Sequence, residues 1–292
     1  MKKEVYEMIK EISKFFKSEN IEYFGVLPIE ECRVKKEYLL SREDGFSPKS
    51  VICLLVPYYT KEGKNISKYA VSCDYHLYMR GLFSRFSEFF AQAYPNNVCR
   101  CFSDHSPVSE LYLAAKCGLG VVGENGLLIT EKHSSFVFVG EIFTDISAKD
   151  LGYIKAEEIK SCIKCGKCKK ACPTKCLENY ERECLSAITQ KKGELSREEI
   201  SLMLDYNTAW GCDICQNVCP YTERAIKNGT VKTPIEFFYE DAIDNLTLEK
   251  LDKMSEEEFL CRAYSWRKRE TIRRNLLFLE EENSGNGIEN KD

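Results

Sequence analysis

Nine of the 16 cysteines lie in one stretch, between residues 162 and 219. The first part of this stretch, CIKCGKCKKACP, has the spacing C-x2-C-x2-C-x3-C with a proline directly after the fourth cysteine. In this pattern a tight loop supplies three thiolates to one iron–sulfur cube, and the fourth cysteine ligates a second cube. The proline turns the chain away from the first cube. The spacing therefore predicts a bacterial-type domain with two [4Fe–4S] clusters.

The second part, CDICQNVCP, supplies three more cysteines, one fewer than a full set. By spacing, Cys184 is the natural additional ligand, and Cys176 is the alternative. The predicted ligands are Cys162, Cys165, Cys168 and Cys219 for one cluster and Cys172, Cys184, Cys212 and Cys215 for the other. Two structural zinc sites are the competing interpretation, but three closely spaced cysteines and two Cys-Pro steps fit zinc poorly.

The remaining composition is that of a folded protein with a sizeable core. The chain has 292 residues, 43% hydrophobic and 30% charged, which predicts about two domains. A net charge of −4 disfavours a protein that binds nucleic acid non-specifically over its whole surface. No apolar run is long enough to cross a membrane, and no signal-peptide pattern follows the first lysines. We expect a cytoplasmic protein whose cysteines serve metal binding or catalysis.

Strand and helix patterns alternate before the cysteine-rich stretch, which predicts an α/β layer domain. The predicted elements are a helix at 3–17, strands at 21–27 and 51–59, a helix at 75–93, a helix from Ser106-Pro107 to Cys117-Gly118, a glycine loop at 118–126, and strands at LLIT and FVFVGEI. The strand at 51–59 is apolar on both faces, as in a sheet covered on both sides. The predicted domains are 1–155, 156–225 and a helical segment at 226–280, followed by a disordered tail at 281–292.

Several motifs, taken in order, resemble those of epoxyqueuosine reductases. They are DYH (74–76), FSDHSPVSE, AAKCGLGVVGENGLLI, SSFVFVGEI, ECLSAITQKKG, GCDICQNVCP and EEFLCRAYSWRKRETIRRN. The resemblance implies an N-terminal cobalamin-binding domain, related to that of reductive dehalogenases, and a ferredoxin-like domain with two [4Fe–4S] clusters. It also implies an activity: removal of the epoxide oxygen of epoxyqueuosine at the tRNA wobble position, the last step of queuosine synthesis.

The same resemblance implies roles for individual residues. Asp104 matches the family's proton donor, although an Asp before a Pro-started helix is commonly a cap or turn residue. Ser135 and Glu141 match a strand that lines the cobalamin pocket, and Ser186 and Gln190 lie beside Cys184 on the cluster side. Electrons would enter from reduced flavodoxin or ferredoxin, pass through the clusters and reduce cobalamin. The family also suggests a monomer.

Three features of the sequence depart from known patterns. Glu124 stands where the better-known form carries Lys, and Asp74-x-His76 is an incomplete version of the D-x-H-x-x-G motif that supplies a histidine to cobalt. Many family members continue into HEAT-like repeats that help to hold tRNA, whereas this sequence ends soon after RRNLLFLE. The alternatives are a corrinoid reductase of a small organohalide or epoxide, and a non-catalytic electron-transfer protein.

A basic stretch near the end of the chain is the best local candidate for an RNA contact. Its six cations are Arg262, Arg267, Lys268, Arg269, Arg273 and Arg274. They could bind phosphates. The alternative is a solvated helix with Trp266 and Ile272 packed inward.

Overall fold

The computed structural model describes residues 2–40, 45–153 and 155–285, with the side chains of 8–40, 45–153 and 155–281. It divides into two compact units. Unit 1 contains the chain up to Tyr58, His76–Lys164 and Asn228–Ile235; unit 2 contains Tyr59–Tyr75, Cys165–Lys227 and the chain from Glu236 onward. The predicted tail at 281–292 falls partly outside the described residues, and its first part, to Gly285, is helical.

Unit 1 is built on a four-stranded antiparallel sheet in the order β1-β2-β6-β3. Its elements are α1 (Lys2–Ser18), β1 (Tyr23–Pro28), β2 (Ser50–Pro57), α2 (Tyr75–Ala93), β3 (Cys99–Phe102), α3 (Glu110–Lys116), β4 (Val121–Val122), β5 (Leu128–Ile129) and β6 (Val137–Thr144). The short strands β4 and β5 form a separate hairpin across the glycine loop. The predicted mixed α/β class is confirmed, and because the sheet is antiparallel it takes the α+β form.

Helices cover both faces of the sheet. All eight residues of β2 are buried, as its two-sided apolar pattern predicts. On one face Val51 and Cys53 pack in the same cluster as Leu113 of α3. On the other face Leu54 and Phe83 of α2 both lie against Gly140 of β6. Strand β2 therefore holds its neighbours β1 and β6 in a fixed register.

The helix predicted from Ser106-Pro107 begins later, at Glu110. Residues 107–109 are extended because they pair with an earlier segment: Lys35 N–H donates to the Pro107 carbonyl at 2.8 Å, and Ser109 N–H donates to the Arg33 carbonyl at 2.9 Å. The Ser106 hydroxyl accepts from Val108 N–H at 3.1 Å and does not cap α3. The prediction of the helix start is therefore wrong, since a long-range pairing overrides the local capping signal.

Unit 2 is formed by short helices around its own core. The helices are α4 (Lys167–Ala171), α5 (Leu185–Thr189), α6 (Arg197–Asp205), α7 (Ile214–Asn217), α8 (Pro220–Lys227), α9 (Leu248–Lys253), α10 (Glu256–Leu260) and α11 (Arg269–Gly285). Trp210 and Tyr264 are the largest fully buried side chains of this core, and Ile272 of α11 packs against them. The short C-terminal helices predicted from the sequence are present. Within the described ranges, no helix is both long and apolar enough to cross a membrane.

Candidate functional site

Asp104 follows the end of edge strand β3 and has a left-handed backbone, with φ +60°. Asp is one of the few residues that tolerates this region. Its Oδ2 lies 3.3 Å from Nε2 of His76, near the start of α2, and the two side chains are 63% and 42% exposed. The predicted acid is therefore accessible, and it is paired with a histidine that the sequence analysis left without a role.

Glu110, the first residue of α3, is a further acid of this group. Its Oε1 accepts a hydrogen bond of 3.0 Å from the backbone N–H of Asp104. Burial raises the pKa of Glu110 to about 7; the Asp104 charge also raises it, whereas this hydrogen bond and the charges of Lys35 and Lys36 lower it. The sequence analysis missed Glu110. The available signal was the pair of acids on either side of the Ser-Pro turn in FSDHSPVSE.

Glu141 lies behind these acids in the middle of β6. It pairs with Cys53 on one side and Phe102 on the other, and it is 0% exposed. Among the described residues neither carboxyl oxygen has a hydrogen-bond partner. Burial, followed by the charge of Glu110, raises the pKa of Glu141 to about 9, and the nearby Ser106 hydroxyl opposes this rise. Glu141 is therefore a neutral acid at physiological pH.

The structure thus brings Asp104 and Glu141 into one group with His76, Glu110 and Ser106. Ser135 is buried in the turn that leads into β6. Glu124 lies in the turn between β4 and β5. In unit 2, Ser186 and Gln190 of the α5 region bind each other, with Nε2 of Gln190 3.2 Å from the Ser186 hydroxyl.

Three predicted ligands of one cluster, Cys172, Cys184 and Cys212, lie near enough to one another in unit 2 for their charges to interact. Burial raises the pKa of Cys212 to about 12, and the charges of Cys184 and Cys172 contribute to this rise. Cys172 Sγ also lies 3.5 Å from Sγ of Cys176, the alternative ligand. No three Cys, His, Asp or Glu side chains of the described chain converge as a single ion would require. A cube instead receives one thiolate at each of four corners, so this donor set fits an iron–sulfur cluster.

The CIKCGKC loop has the backbone conformation that a loop needs to wrap around a cluster. Lys164 and Gly166 both have positive φ, at 51° and 72°. Gly166 takes this conformation without cost, and α4 begins directly after it and contains Cys168. Cys162 N–H donates to the Val122 carbonyl at 2.9 Å, which ties the start of the loop to unit 1's hairpin. The sequence spacing and the local backbone therefore agree.

A buried polar network fixes the second cysteine loop. The Asp213 carboxylate, next to Cys212, accepts hydrogen bonds from the Ser67 hydroxyl, from Lys68 N–H at 2.7 Å and from Gln216 Nε2 at 3.1 Å. The ammonium of Lys68, 2% exposed, lies 3.8 Å from the same carboxylate and 2.7 Å from Glu62. It also donates to Asn217 Oδ1 at 2.5 Å. These contacts position the backbone between Cys212 and Cys215.

Arginines of the basic stretch make intramolecular contacts. Arg262 donates to the Asp241 carbonyl, Arg269 to the Leu251 carbonyl and Arg274 to the Gly193 carbonyl, and Arg273 pairs with Asp252. Ile272 is buried as the helical alternative predicts, but Trp266 is exposed, so that part of the interpretation is wrong. This pattern favours a structural role for the stretch over phosphate binding.

Comparison with known proteins identifies the family. Residues 45–105 match the family model described as epoxyqueuosine reductase QueG, DUF1730, and residues 161–222 match the 4Fe-4S double cluster binding domain. The epoxyqueuosine reductase of Leadbetterella byssophila is 33% identical over 246 residues, which cover 80% of this chain and 78% of that protein. That of Cellulophaga algicola is also 33% identical, over 80% of this chain and 77% of its own.

Solved structures share the fold. A selenomethionine-labelled epoxyqueuosine reductase superposes with a TM-score of 0.75 at 22% identity, covering 94% of this chain and 81% of its own. An epoxyqueuosine reductase with an epoxyqueuosine-modified tRNA-Tyr stem loop has a TM-score of 0.74 at 23% identity, with the same coverage. Together with the sequence matches over most of both chains, this places the chain in the epoxyqueuosine reductase family.

Proposed function

We propose that this chain reduces epoxyqueuosine to queuosine at the wobble position of tRNA. It is an oxidoreductase of its family with a domain for two [4Fe–4S] clusters. The observation that carries the proposal is the position of Asp104. Its side chain is exposed, its backbone N–H donates to Glu110, and its carboxylate pairs with His76. This is the arrangement of a proton donor that meets a bound substrate at the surface of a rigid sheet.

The reaction needs an acid at the leaving oxygen. Reduction of an epoxide to an alkene takes two electrons and two protons, breaks both carbon–oxygen bonds of the ring and releases the oxygen as water. Asp104, when protonated, donates through a carboxyl oxygen to the leaving oxygen, and His76 at 3.3 Å orients the carboxyl group. Glu110 and the neutral Glu141 are further acids close to Asp104.

Unit 1 would hold a cobalamin through residues other than its histidines. Each of the three histidines already has a protein partner: His76 binds Asp104, His105 binds Lys36, and His133 lies 3.3 Å from the Val231 carbonyl. We propose that Asp104 contacts the cofactor and that Ser135 and Glu141 form the buried wall of its pocket. When bound, cobalamin supplies a reduced cobalt nucleophile, which no amino acid side chain can provide.

We propose residues 1–155 as the cobalamin domain, residues 156–225 as the electron-transfer domain and residues 226–280 as a helical C-terminal segment that packs back on the core. The clusters take the ligand sets predicted from the spacing, with Ser186 and Gln190 beside Cys184. Reduced flavodoxin or ferredoxin is the proposed electron donor, and the tRNA anticodon loop is the proposed substrate. The protein is proposed to be a monomer and to act in the cytoplasm.

The choice of Cys184 over Cys176 has a direct test. Cys184→Ser is expected to lower the iron content from about eight to about four per chain, since one cube loses a ligand and the other keeps its set. Cys176→Ser is the matched control and is expected to keep about eight. The reverse result would transfer the ligand assignment to Cys176. Iron analysis and the cluster EPR signal of the purified protein measure both.

The function is tested by nucleoside mass spectrometry of tRNA from a queuosine-making bacterium that lacks its own reductase. With this chain expressed and cobalamin supplied, the accumulated epoxyqueuosine is expected to become queuosine. Asp104→Asn is the inactive comparison, and Asp205→Asn, an exposed acid at the end of α6, is the control. Persistent epoxyqueuosine with protein that contains both clusters and corrin would contradict the proposal in favour of a small-molecule substrate. Loss of corrin as well would favour electron transfer.

A further inference from the structure

The loop that carries Asp104 is held at one end by backbone pairing and at the other by a side chain. At its C-terminal end, Pro107 accepts hydrogen bonds from Lys35 and Lys36, at 2.8 and 3.0 Å. Val34 and Val108 also form an isolated antiparallel bridge. These contacts lie in regular extended backbone and fix residues 107–109, but they do not reach Asp104 itself.

The backbone at Asp104 is strained. His105 N–H donates to the Ser103 carbonyl at 2.7 Å, so Asp104 is the central residue of a three-residue turn. Its φ of +60° places this turn in the rare γ-turn class with a positive central φ. Such a conformation persists only where neighbouring contacts over-determine it. The hydrogen bond from Asp104 N–H to Glu110 Oε1, at 3.0 Å, is such a contact.

The charge on Glu110 sets the strength of this contact. The groups that face Glu110 are Asp104 and Glu141, which disfavour its anion, and Lys35 and Lys36, which favour it. A backbone N–H bond to a carboxylate is shorter and stronger than one to a neutral acid. Because the pKa of Glu110 is raised to about 7, the anion and the stronger bond are gained as the pH rises through this value.

We infer that Glu110 is a positioning residue, which holds the strained turn at Asp104 in the orientation from which Asp104 donates its proton. The expected effect of Glu110 on catalysis rests on the proposed function. The hydrogen bond by which Glu110 stabilises the turn lies within unit 1 and does not depend on that function. Glu110 does not touch the substrate. It acts through the backbone of Asp104, and its loss releases the turn while leaving the Asp104 carboxyl group in the protein.

The experiment measures the turn and the reaction separately in the holoenzyme. The endoproteinase that cuts before Asp reports on the turn, because the Ser103–Asp104 bond is cleaved only when the turn opens; cleavage at this bond is followed by mass spectrometry. Glu110→Leu removes the acceptor and Glu110→Gln keeps it without the charge. Glu198→Leu, which removes an exposed first-turn acid from α6, is the control for helix effects.

Glu110→Leu is expected to be cut at Ser103–Asp104 about tenfold faster than the wild type, with kcat lowered about 10- to 100-fold and KM nearly unchanged. Glu110→Gln is expected to lie close to the wild type at pH 6. As the pH rises from 6 to 8, the wild type becomes better protected than Glu110→Gln at the same pH. The control is expected to change neither measurement.

Equal cleavage rates at Ser103–Asp104 in Glu110→Leu and the wild type would overturn the inference. Equal cleavage rates in the Glu110→Gln and Glu110→Leu variants would also overturn it. If Glu110→Leu does not fold, a flat ratio of wild type to Glu110→Gln between pH 6 and 8 overturns it instead. Wild-type protein that converts no epoxyqueuosine would contradict the proposed function, while the cleavage measurements would still decide whether Glu110 holds the turn.

Discussion

Two buried acids in the two units have opposite surroundings. Glu141 in unit 1 has no hydrogen-bond partner in the described chain, whereas Asp213 in unit 2 accepts from Ser67, Lys68 and Gln216. Burial raises the pKa of both carboxyl groups, but a buried ammonium opposes this rise only at Asp213. Buried polar groups normally have hydrogen-bond partners. Asp213 is therefore typical of a residue with a structural role, and Glu141 is typical of a residue at a functional site.

The comparison shows that the two units use their buried polar groups for different purposes. Unit 2 uses polar contacts to fix a cysteine loop, because a cluster needs its thiolates in set positions. Unit 1 retains one unsatisfied acid, Glu141, and a strained turn at Asp104. Both lower the stability of the unit and are retained where chemistry needs them. Substitutions in the two units should therefore have opposite effects on stability and activity.

The largest effect is expected for Asp104→Asn, which keeps the size of the side chain but removes its acidic proton. Turnover of epoxyqueuosine in tRNA should fall about 100- to 10,000-fold, the usual contribution of a general acid. Iron content should stay unchanged, since Asp104 is far in sequence from the cysteine ligands. Bound corrin should also stay, because Asn keeps the size and polarity of the side chain that contacts the cofactor. Single-turnover kinetics measure the loss, and full activity in this variant would remove Asp104 from the chemistry.

Lys68→Met should have the largest effect on stability. It leaves the buried Asp213 carboxylate without its cation, which typically costs about 3–5 kcal/mol when one partner of a buried pair is removed. Denaturant unfolding of the loaded protein measures the change. Lys253→Met, which breaks an exposed pair with Glu249 on α9, is the matched control and should change stability by less than about 0.5 kcal/mol. Similar losses in the two variants would contradict the assignment of Asp213 to structure.

Glu141→Gln should instead stabilise the protein, and increasingly so at higher pH. The folded pKa of about 9 lies above the unfolded value, so the folded state binds the proton more tightly and wild-type stability falls as the pH rises between about 4.5 and 9. At pH 7 the pH-dependent penalty that Gln removes is about 3 kcal/mol. Thermal unfolding of both proteins at pH 5.5 and pH 8 measures this. A difference that is the same at both values would show that Glu141 does not carry the raised pKa.

The sequence predicted the parts of the molecule that depend on local patterns. The helix at 75–93 has the expected bounds, and the two-sided burial of β2 follows from its continuous apolar run. The cysteine spacing matches the double-cluster domain because one short stretch holds most of the ligands. Asp104 was singled out through its motif, and its role as proton donor stays a prediction.

Features that depend on distant pairing were not predicted. Strand β3 is only four residues long and forms by pairing with β6. The hydrogen bond from Asp104 to Glu110 spans a loop whose C-terminal end pairs with residues 33–36. The Lys68–Asp213 pair joins residues 145 positions apart. None of these leaves a periodic signal, because the partner that determines each of them lies far along the chain.

The smallest effects are expected at the helix caps of unit 2, where polar groups are satisfied at the surface. In α6 the Ser196 hydroxyl accepts from Glu199 N–H at 3.3 Å, and Glu199 Oε2 accepts from Ser196 N–H at 2.8 Å. Ser196→Ala should cost about 1 kcal/mol in the unfolding free energy and leave turnover unchanged. Lys191 and this cap hold the pKa of Glu199 below its usual range, so their contribution is present at neutral pH and is lost as the pH falls through that lowered pKa. A loss of turnover in Ser196→Ala at full cluster content would mean that unit 2 takes part in the chemistry beyond holding the clusters, and the contrast between the two units would then fail.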